Sequence, residues 1–120
     1  MKLKVIALAV VALLFTMMLA VPANALLTRS TDVYVSLNFS NNIAACKCEI
    51  SADSSSDLIS ATMELWRGTT KLNSWSSSGT ESVSMDETQN VTRFHTYRLV
   101  INYTVNGIAQ QSVESSRYYG

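Results

Sequence analysis

Proline, cysteine and histidine are scarce in this chain of 120 residues, which holds one proline, two cysteines and one histidine. Two cysteines cannot form the multi-disulfide framework that supports many small exported domains. One histidine also leaves little material for a zinc centre or for a serine hydrolase, both of which depend on imidazole. The composition therefore argues against a disulfide-stapled scaffold and against histidine-based chemistry.

An excess of positive charge is lacking as well, because the chain has nine Lys and Arg against nine Asp and Glu. Lys2 and Lys4 lie at the extreme N-terminus. Without them, residues 26–120 carry seven basic and nine acidic side chains, a formal net charge of −2. We therefore expect no basic patch for nucleic acid or for an anionic membrane surface.

The first 25 residues have the three parts of a secretory signal peptide. Lys2 and Lys4 precede an uncharged apolar run over 5–19, and Val21-Pro22-Ala23-Asn24-Ala25 ends in an A-x-A cleavage pattern. An uncleaved membrane anchor is the alternative, but the apolar run is short for a span. We predict cleavage after Ala25, which gives a signal peptide over 1–25, a single domain over 26–120 and an extracellular location.

Apolar side chains alternate with polar ones through most of residues 31–120, which is the period of two that indicates β-strands. No segment shows a period of 3.6. The predicted strands are centred on Val33–Phe39, Cys46–Ala52, Ile59–Leu65, Lys71–Trp75, Glu81–Met85, Tyr97–Val105 and 108–116.

Turn residues separate these runs. Asn41-Asn42 and the segment 53–57 mark two of the connections, and a loop is expected over 76–79. If 67–70 form a hairpin loop, Leu65 lies opposite Leu72. Asn106-Gly107 predicts a type I′ turn, which pairs Val105 with Ile108 and Thr104 with Ala109.

About seven short strands over some 90 residues predict an all-β fold, an antiparallel two-sheet sandwich, with an open barrel as the alternative. The stretch Thr96-Tyr97-Arg98-Leu99-Val100-Ile101 resembles the penultimate strand of immunoglobulin-like and fibronectin-type-III-like domains. The resemblance implies that the Tyr97 hydroxyl bonds to backbone upstream. The mature chain is also similar to small, uncharacterised, secreted sandwich proteins of Gram-positive bacteria. Cys46 has no immunoglobulin-type partner, because position 99 is Leu.

Three groups of residues have side chains that could form a chemical site. Cys46 and Cys48 suit either a redox or soft-metal pair or, as their alternation favours, two small buried hydrophobes. His95 lacks a nucleophile elbow nearby and is interpreted as a residue that packs at a turn. The acidic segments 53–57 and Asp86-Glu87 offer oxygen ligands for calcium, but polar turn chemistry explains them. We expect no catalytic residue, no cofactor and no metal.

The candidate binding surface consists of Trp66, Trp75 and Tyr34. Strict alternation places Trp66 on the face opposite Met63 and Leu65, where an aromatic platform for a sugar or a protein can form. The alternative is that the tryptophans belong to the core, since a single bulge reverses the face of a side chain.

These observations predict a secreted, non-enzymatic, immunoglobulin-like β-sandwich that binds a protein or glycan partner. A bacteriocin-like or toxin-like effector is the alternative, and a carbohydrate-binding module is a third hypothesis that depends on the tryptophans. The partner itself and the oligomeric state are not specified by these residues.

Overall fold

A computed structural model of the chain describes residues 31–120, which form one compact unit. The predicted signal peptide over 1–25, its cleavage after Ala25 and the start of the mature domain at Leu26 lie outside the described residues. Within 31–120, no helix has the length and the apolar character that are needed to cross a bilayer.

The described residues form two antiparallel sheets. The three-stranded sheet has the order β1-β2-β5, and the five-stranded sheet has the order β4-β3-β6-β7, with β8 also paired to β6. The strands are β1 (Thr31–Ser40), β2 (Ile43–Ala52), β3 (Leu58–Arg67), β4 (Thr70–Thr80), β5 (Ser82–Asn90), β6 (His95–Val105), β7 (Ile108–Ala109) and β8 (Val113–Tyr119). The described part of the chain is therefore the all-β, antiparallel two-sheet sandwich that the alternation predicts.

The central strands β2 and β3 bury every second side chain, because successive side chains point to opposite faces of a sheet. The core lies between the two sheets, and its largest fully buried side chains come from the central strands. They are Tyr97, Ile50, Ile59, Met63, Leu65, Leu99, Ile101, Val105, Cys46 and Cys48.

The predicted Asn-rich turns are confirmed. Asn41 and Asn42 have φ of 52° and 62°, and Asn106 and Gly107 have φ of 52° and 81°. Positive φ at both central residues is the requirement of a type I′ hairpin turn. The predicted pairs Val105–Ile108 and Thr104–Ala109 are present.

The turn between β3 and β4 is tighter than predicted. Only Gly68 and Thr69 connect the strands, and Arg67 pairs with Thr70. The register shifts at a bulge between Leu65 and Trp66, so Leu65 lies opposite Asn73 rather than Leu72. The predicted Leu65–Leu72 pair is therefore wrong, although Leu72 still packs against the core.

The expected loop over 76–79 is also wrong, because β4 continues to Thr80. A run of serines has weak strand propensity, but here it pairs along its length with β3. Glu81, with a φ of 69°, is the single residue between β4 and β5. The chain passes at this corner from the edge of one sheet to the edge of the other.

Tyr97 forms the bond to upstream backbone that the resemblance implies. Its hydroxyl donates to the Thr92 carbonyl oxygen at 2.7 Å and accepts from the Thr92 N–H at 3.0 Å. These bonds attach the β5–β6 connection to the start of β6, so the penultimate strand begins at a fixed corner.

The C-terminal strand joins the two sheets. The Arg117 guanidinium donates to the Leu37 carbonyl oxygen at 3.1 Å and to the Asn38 side chain at 2.6 Å. The Tyr119 ring stacks on Phe39 with a centroid distance of 4.7 Å. Because Leu37, Asn38 and Phe39 belong to β1, the edge strand β8 holds β1 in place; we call these Arg117 and Tyr119 contacts the β8 latch.

Candidate functional site

Trp66 lies on the outer face of the five-stranded sheet, opposite Arg98 of β6 and Lys71 of β4. The bulge beside Trp66 changes its register with β4 only, and the pairing with β6 continues through it. Trp66 therefore keeps the solvent face that strict alternation predicts. We call the outer surface of the sheet around Trp66, Lys71 and Arg98 the Trp66 face.

The Trp66 ring is half-buried and flanked by cations. Lys71 Nζ lies 5.8 Å from the ring centroid, and Arg98 Cζ lies 5.5 Å from it. The two cations come from the strands on either side of β3, and a cation over an indole is attracted by the ring quadrupole. Their side chains cover part of the ring and leave less of it open to a stacked ligand.

Two carboxylates complete this cluster. The indole Nε1–H donates to Glu64 Oε1 at 3.0 Å, and Lys71 Nζ lies 3.9 Å from Glu64 Oε2. Arg98 Nη1 lies 3.2 Å from Glu114 Oε1 on β8. The contacts cross all four long strands of the region and fix Trp66 in one orientation.

The other two predicted aromatic residues lie elsewhere. Tyr34, 55% exposed, projects from the outer face of the three-stranded sheet, opposite Glu49. Trp75 pairs with Met63 and packs against the core from the inner face of β4. The structure therefore does not bring Trp66, Trp75 and Tyr34 together as one surface, and only Trp66 and Tyr34 face solvent.

Tyr118 is an aromatic residue on the Trp66 face that the sequence analysis missed. It is 59% exposed and lies opposite Thr96. On β8 it lies two residues beyond Ser116, which pairs with Arg98. Alternation within the last strand could have indicated it, because Ser116 and Tyr118 share a face. The strand was predicted to end near Ser116, so Tyr118 was left out.

A cleft of about 430 Å³ lies on this sheet between the positions of Trp66 and Tyr118. It is lined by Arg67, Gly68, His95, Thr96, Arg98 and Ser116. We call it the Arg67–Arg98 cleft. The expectation of no basic patch, which came from the net charge of residues 26–120, did not anticipate this cleft, because a net charge contains no information on how basic residues are grouped.

Arg67 also influences the tyrosine corner next to the cleft. Burial acts to raise the pKa of the Tyr97 hydroxyl, but the bonds to Thr92 and the nearby Arg67 guanidinium outweigh it and lower the pKa. His95 packs edge-on to the Tyr97 ring, with the centroids 6.3 Å apart. His95 therefore lies at the start of β6 beside a turn, as predicted.

Cys46 and Cys48 are fully buried free thiols on the inner face of β2. Burial and the charge of Glu87 raise the pKa of Cys46 to about 11. Burial also raises the pKa of Cys48, against a hydrogen bond at Met85 that lowers it. Since the thiolate is the nucleophile and the metal ligand, both groups are held in their unreactive form.

The acidic segments that were weighed for calcium lie apart from the Trp66 face. Asp57 is buried, and its Oδ1 accepts from Asn106 Nδ2 at 2.9 Å. Asp86 lies on β5 opposite Lys47. Among the residues that the structure describes, no three His, Cys, Asp or Glu side chains are grouped in a way that could hold a metal ion.

A second depression of about 630 Å³ lies at the other end of the same sheet. Its lining is almost wholly of small hydroxyl and amide side chains, including Ser60, Thr62, Ser76, Ser78 and Asn102. This composition is typical of a solvated sheet face. The aromatic residue in its lining, Tyr103, is partly buried against the core, and none of the described residues that line the depression is charged.

Comparison with known proteins finds structural likeness only at a distance. No protein-family model matches the chain, and no curated protein matches it. A solved structure titled "The structure of a beta-glucuronidase from glycoside hydrolase family 2" matches 75% of this chain at 16% identity, with a TM-score of 0.43. The chain spans 11% of the length of that protein. A likeness at this level leads to no conclusion about the activity of the chain.

Proposed function

We propose that the chain is exported after cleavage at Ala25 and that residues 26–120 act outside the cell as a non-enzymatic, surface-binding β-sandwich. The partner is a protein or a glycan, and the binding surface is the Trp66 face. The proposal includes membership of the group of small secreted sandwich proteins of Gram-positive bacteria that the sequence resembles.

One observation supports the location of the binding surface above all. Aromatic and charged side chains gather at one end of a sheet face, whereas the depression at the other end has no charged residue among the described residues of its lining. Tyr118 and Arg98 share this end with Trp66. Aromatic residues and arginine are the types that contribute most to binding energy in protein interfaces.

A role without catalysis fits the state of the groups that enzymes commonly use. The two thiols are buried, with raised pKa values, and His95 contacts the ring of Tyr97. A general base needs hydrogen-bonding reach to the proton that it removes. The function is therefore assigned to the surface of the sandwich rather than to a reaction within it.

Site-specific photo-crosslinking tests this proposal with a matched pair of positions. A photoreactive phenylalanine replaces Tyr118 on the Trp66 face in one protein and Tyr34 on the opposite sheet in the other. The two sites are similarly exposed, at 59% and 55%. After incubation with cells and their envelopes, we expect a discrete adduct from position 118 and none from position 34. Equal labelling from both positions, or no adduct from position 118, contradicts the proposal.

A further inference from the structure

The Arg67–Arg98 cleft indicates what kind of partner the Trp66 face binds. We propose that it binds the oxyanion of an acidic glycan, a carboxylate or phosphate group carried on a sugar chain. This inference rests on the proposed function, because it names the ligand class of the same face.

The donors in the cleft are the first argument. Within the described part of the chain, the six lining residues include two arginines, two hydroxyl side chains and a histidine, but no aspartate or glutamate. Arginine presents five N–H donors in a planar fork that matches carboxylate and phosphate oxygens. The contact of Arg98 with Glu114 uses one nitrogen of that fork. The Arg67 guanidinium interacts with the Tyr97 hydroxyl, so each arginine keeps part of its fork of donors for a ligand.

The distribution of charge along the sandwich is the second argument. The end with the β3–β4 turn and the start of β6 carries the basic groups Arg67, Lys71, Arg93, His95 and Arg98. Two of these cations are paired, Lys71 with Glu64 and Arg98 with Glu114, so the excess of positive charge comes from Arg67 and Arg93. The opposite end, with the β2–β3 loop and the β4–β5 corner, carries Asp32, Asp53, Asp57 and Glu81. The two ends of the sandwich therefore differ in the sign of their charge, and an anionic polymer is steered toward the end with the cleft.

The aromatic residues beside the cleft support a sugar as the carrier of the oxyanion. Tyr118 lies across from Thr96, which lines the cleft, and Trp66 lies across from Arg98. Because Lys71 and Arg98 cover part of the Trp66 ring, the exposed Tyr118 ring is the one that offers an apolar surface to the C–H face of a sugar, while the acidic group of that sugar accepts hydrogen bonds from the arginines. The volume of about 430 Å³ falls within the range of small-ligand clefts.

Titration with polygalacturonate at low ionic strength tests the inference, with fluorescence of the tryptophans as the readout. Fully methyl-esterified polygalacturonate is the matched ligand, because it keeps the sugar chain and removes the charge. We expect binding of the acidic polymer, weakening with added salt, and no binding of the ester. Poly(glycerol phosphate) is a second arm that shows whether a phosphodiester is bound in the same cleft.

Two variants locate the binding. Arg98→Gln removes a cleft cation and should weaken binding of polygalacturonate about tenfold, the effect of losing one charge-assisted hydrogen bond. Lys47→Gln removes the same charge from the other sheet, opposite Asp86, and should leave binding unchanged. Equal weakening by both variants, or wild-type binding by Arg98→Gln, overturns the inference, as does equal binding of the methyl ester.

Anionic lipid vesicles separate this inference from membrane adsorption, which the 70% exposed Phe94 makes a reasonable rival. Binding to vesicles with no binding to either acidic polymer overturns the inference. If position 118 still crosslinks to a partner while no acidic polymer binds, the proposed function stands and only the ligand class fails. If neither occurs, both fail.

Discussion

Trp66 stands between two cations that come from the strands on either side of β3. The alternation of side chains in a sequence predicts only on which side of the sheet a residue lies. The chemical surroundings of that residue depend on which residues lie opposite it on neighbouring strands, and here they are Lys71 and Arg98. Trp66 is thus both a surface residue and a well-ordered one.

These surroundings predict selective quenching of Trp66 fluorescence. In a Trp75→Phe variant, which leaves Trp66 as the sole emitter, iodide should quench about twofold more strongly than caesium at low ionic strength. The reason is that the two cations lie over the face of the ring, whereas Glu64 contacts its N–H edge. The two quenchers should converge at high salt, where the local positive potential is screened. Arg98→Gln should reduce the difference. Stronger quenching by caesium contradicts the described positions of the cations.

The buried thiols predict a specific loss of stability at alkaline pH. The pKa of Cys46 is raised from 9.0 to about 11 in the fold, so above pH 9 the unfolded chain loses this proton and the folded chain keeps it. The free energy of unfolding should then fall as pH rises from 9 toward 11, by up to about 1.4 kcal/mol per pH unit for this group.

Urea unfolding of the wild type and of Cys46→Ala, repeated across this range of pH, measures the effect. Every other titratable group is present in both proteins, so the difference between the two stabilities isolates the Cys46 thiol. We expect the advantage of the wild type to shrink as pH rises. A difference that does not change with pH contradicts burial of Cys46 as a neutral thiol.

At the scale of elements, the turn at Asn106-Gly107 does more than reverse the chain. Asn106 Oδ1 accepts from the Leu58 N–H at 2.9 Å, and Asn106 Nδ2 donates to Asp57 Oδ1. The Asn106 N–H donates to the Leu58 carbonyl oxygen at 2.7 Å. One asparagine therefore connects the β6–β7 hairpin to the start of β3 through hydrogen bonds.

Two substitutions separate the roles of Asn106. Asn106→Gly keeps the positive φ and removes both side-chain bonds, and it should lower the free energy of unfolding by about 1–3 kcal/mol. Asn106→Ala should cost about 1 kcal/mol more, because alanine is strained in the left-handed region. Urea midpoints measure both, and wild-type stability of Asn106→Gly would contradict the account.

Much of this level of structure was predictable from the sequence. The alternation of apolar side chains and the two Asn-rich turns specify the strands and the register of the last hairpin. The serines of β4 and the bulge beside Leu65 were not predictable, because tertiary pairing overrides weak local propensity. The same limit applies to the site: Trp66 was placed on the correct face, but the cleft depends on cross-strand neighbours and on Tyr118, beyond the predicted end of its strand.

At the scale of the whole molecule, the β8 latch holds the two sheets against each other at one side. Tyr119 is 7% exposed, stacks on Phe39 and accepts a hydrogen bond from the Asn42 N–H at 2.8 Å. Its neighbour Tyr118 points outward on the Trp66 face. Of these two adjacent tyrosines, Tyr119 thus stabilises the fold and Tyr118 belongs to the proposed binding surface.

We therefore predict that substitution by alanine changes the free energy of unfolding very differently at these two neighbouring positions. Tyr119→Ala should lower the free energy of unfolding by about 3–5 kcal/mol, since it removes a buried ring and its contacts to β1. Tyr118→Ala should change it by no more than about 0.5 kcal/mol, as is usual for an exposed residue. Equal losses of stability, measured by urea unfolding, would contradict the latch.

The most direct test of the surface-binding role is the retention of residues 26–120 on washed Gram-positive cell envelopes, compared between Tyr118→Ser and Tyr34→Ser. Both variants replace a similarly exposed tyrosine, one on each sheet. The account predicts that the wild type and Tyr34→Ser are retained and that Tyr118→Ser is washed away. Retention of Tyr118→Ser at the wild-type level, with loss of Tyr34→Ser, would place the working surface on the other sheet and contradict the account.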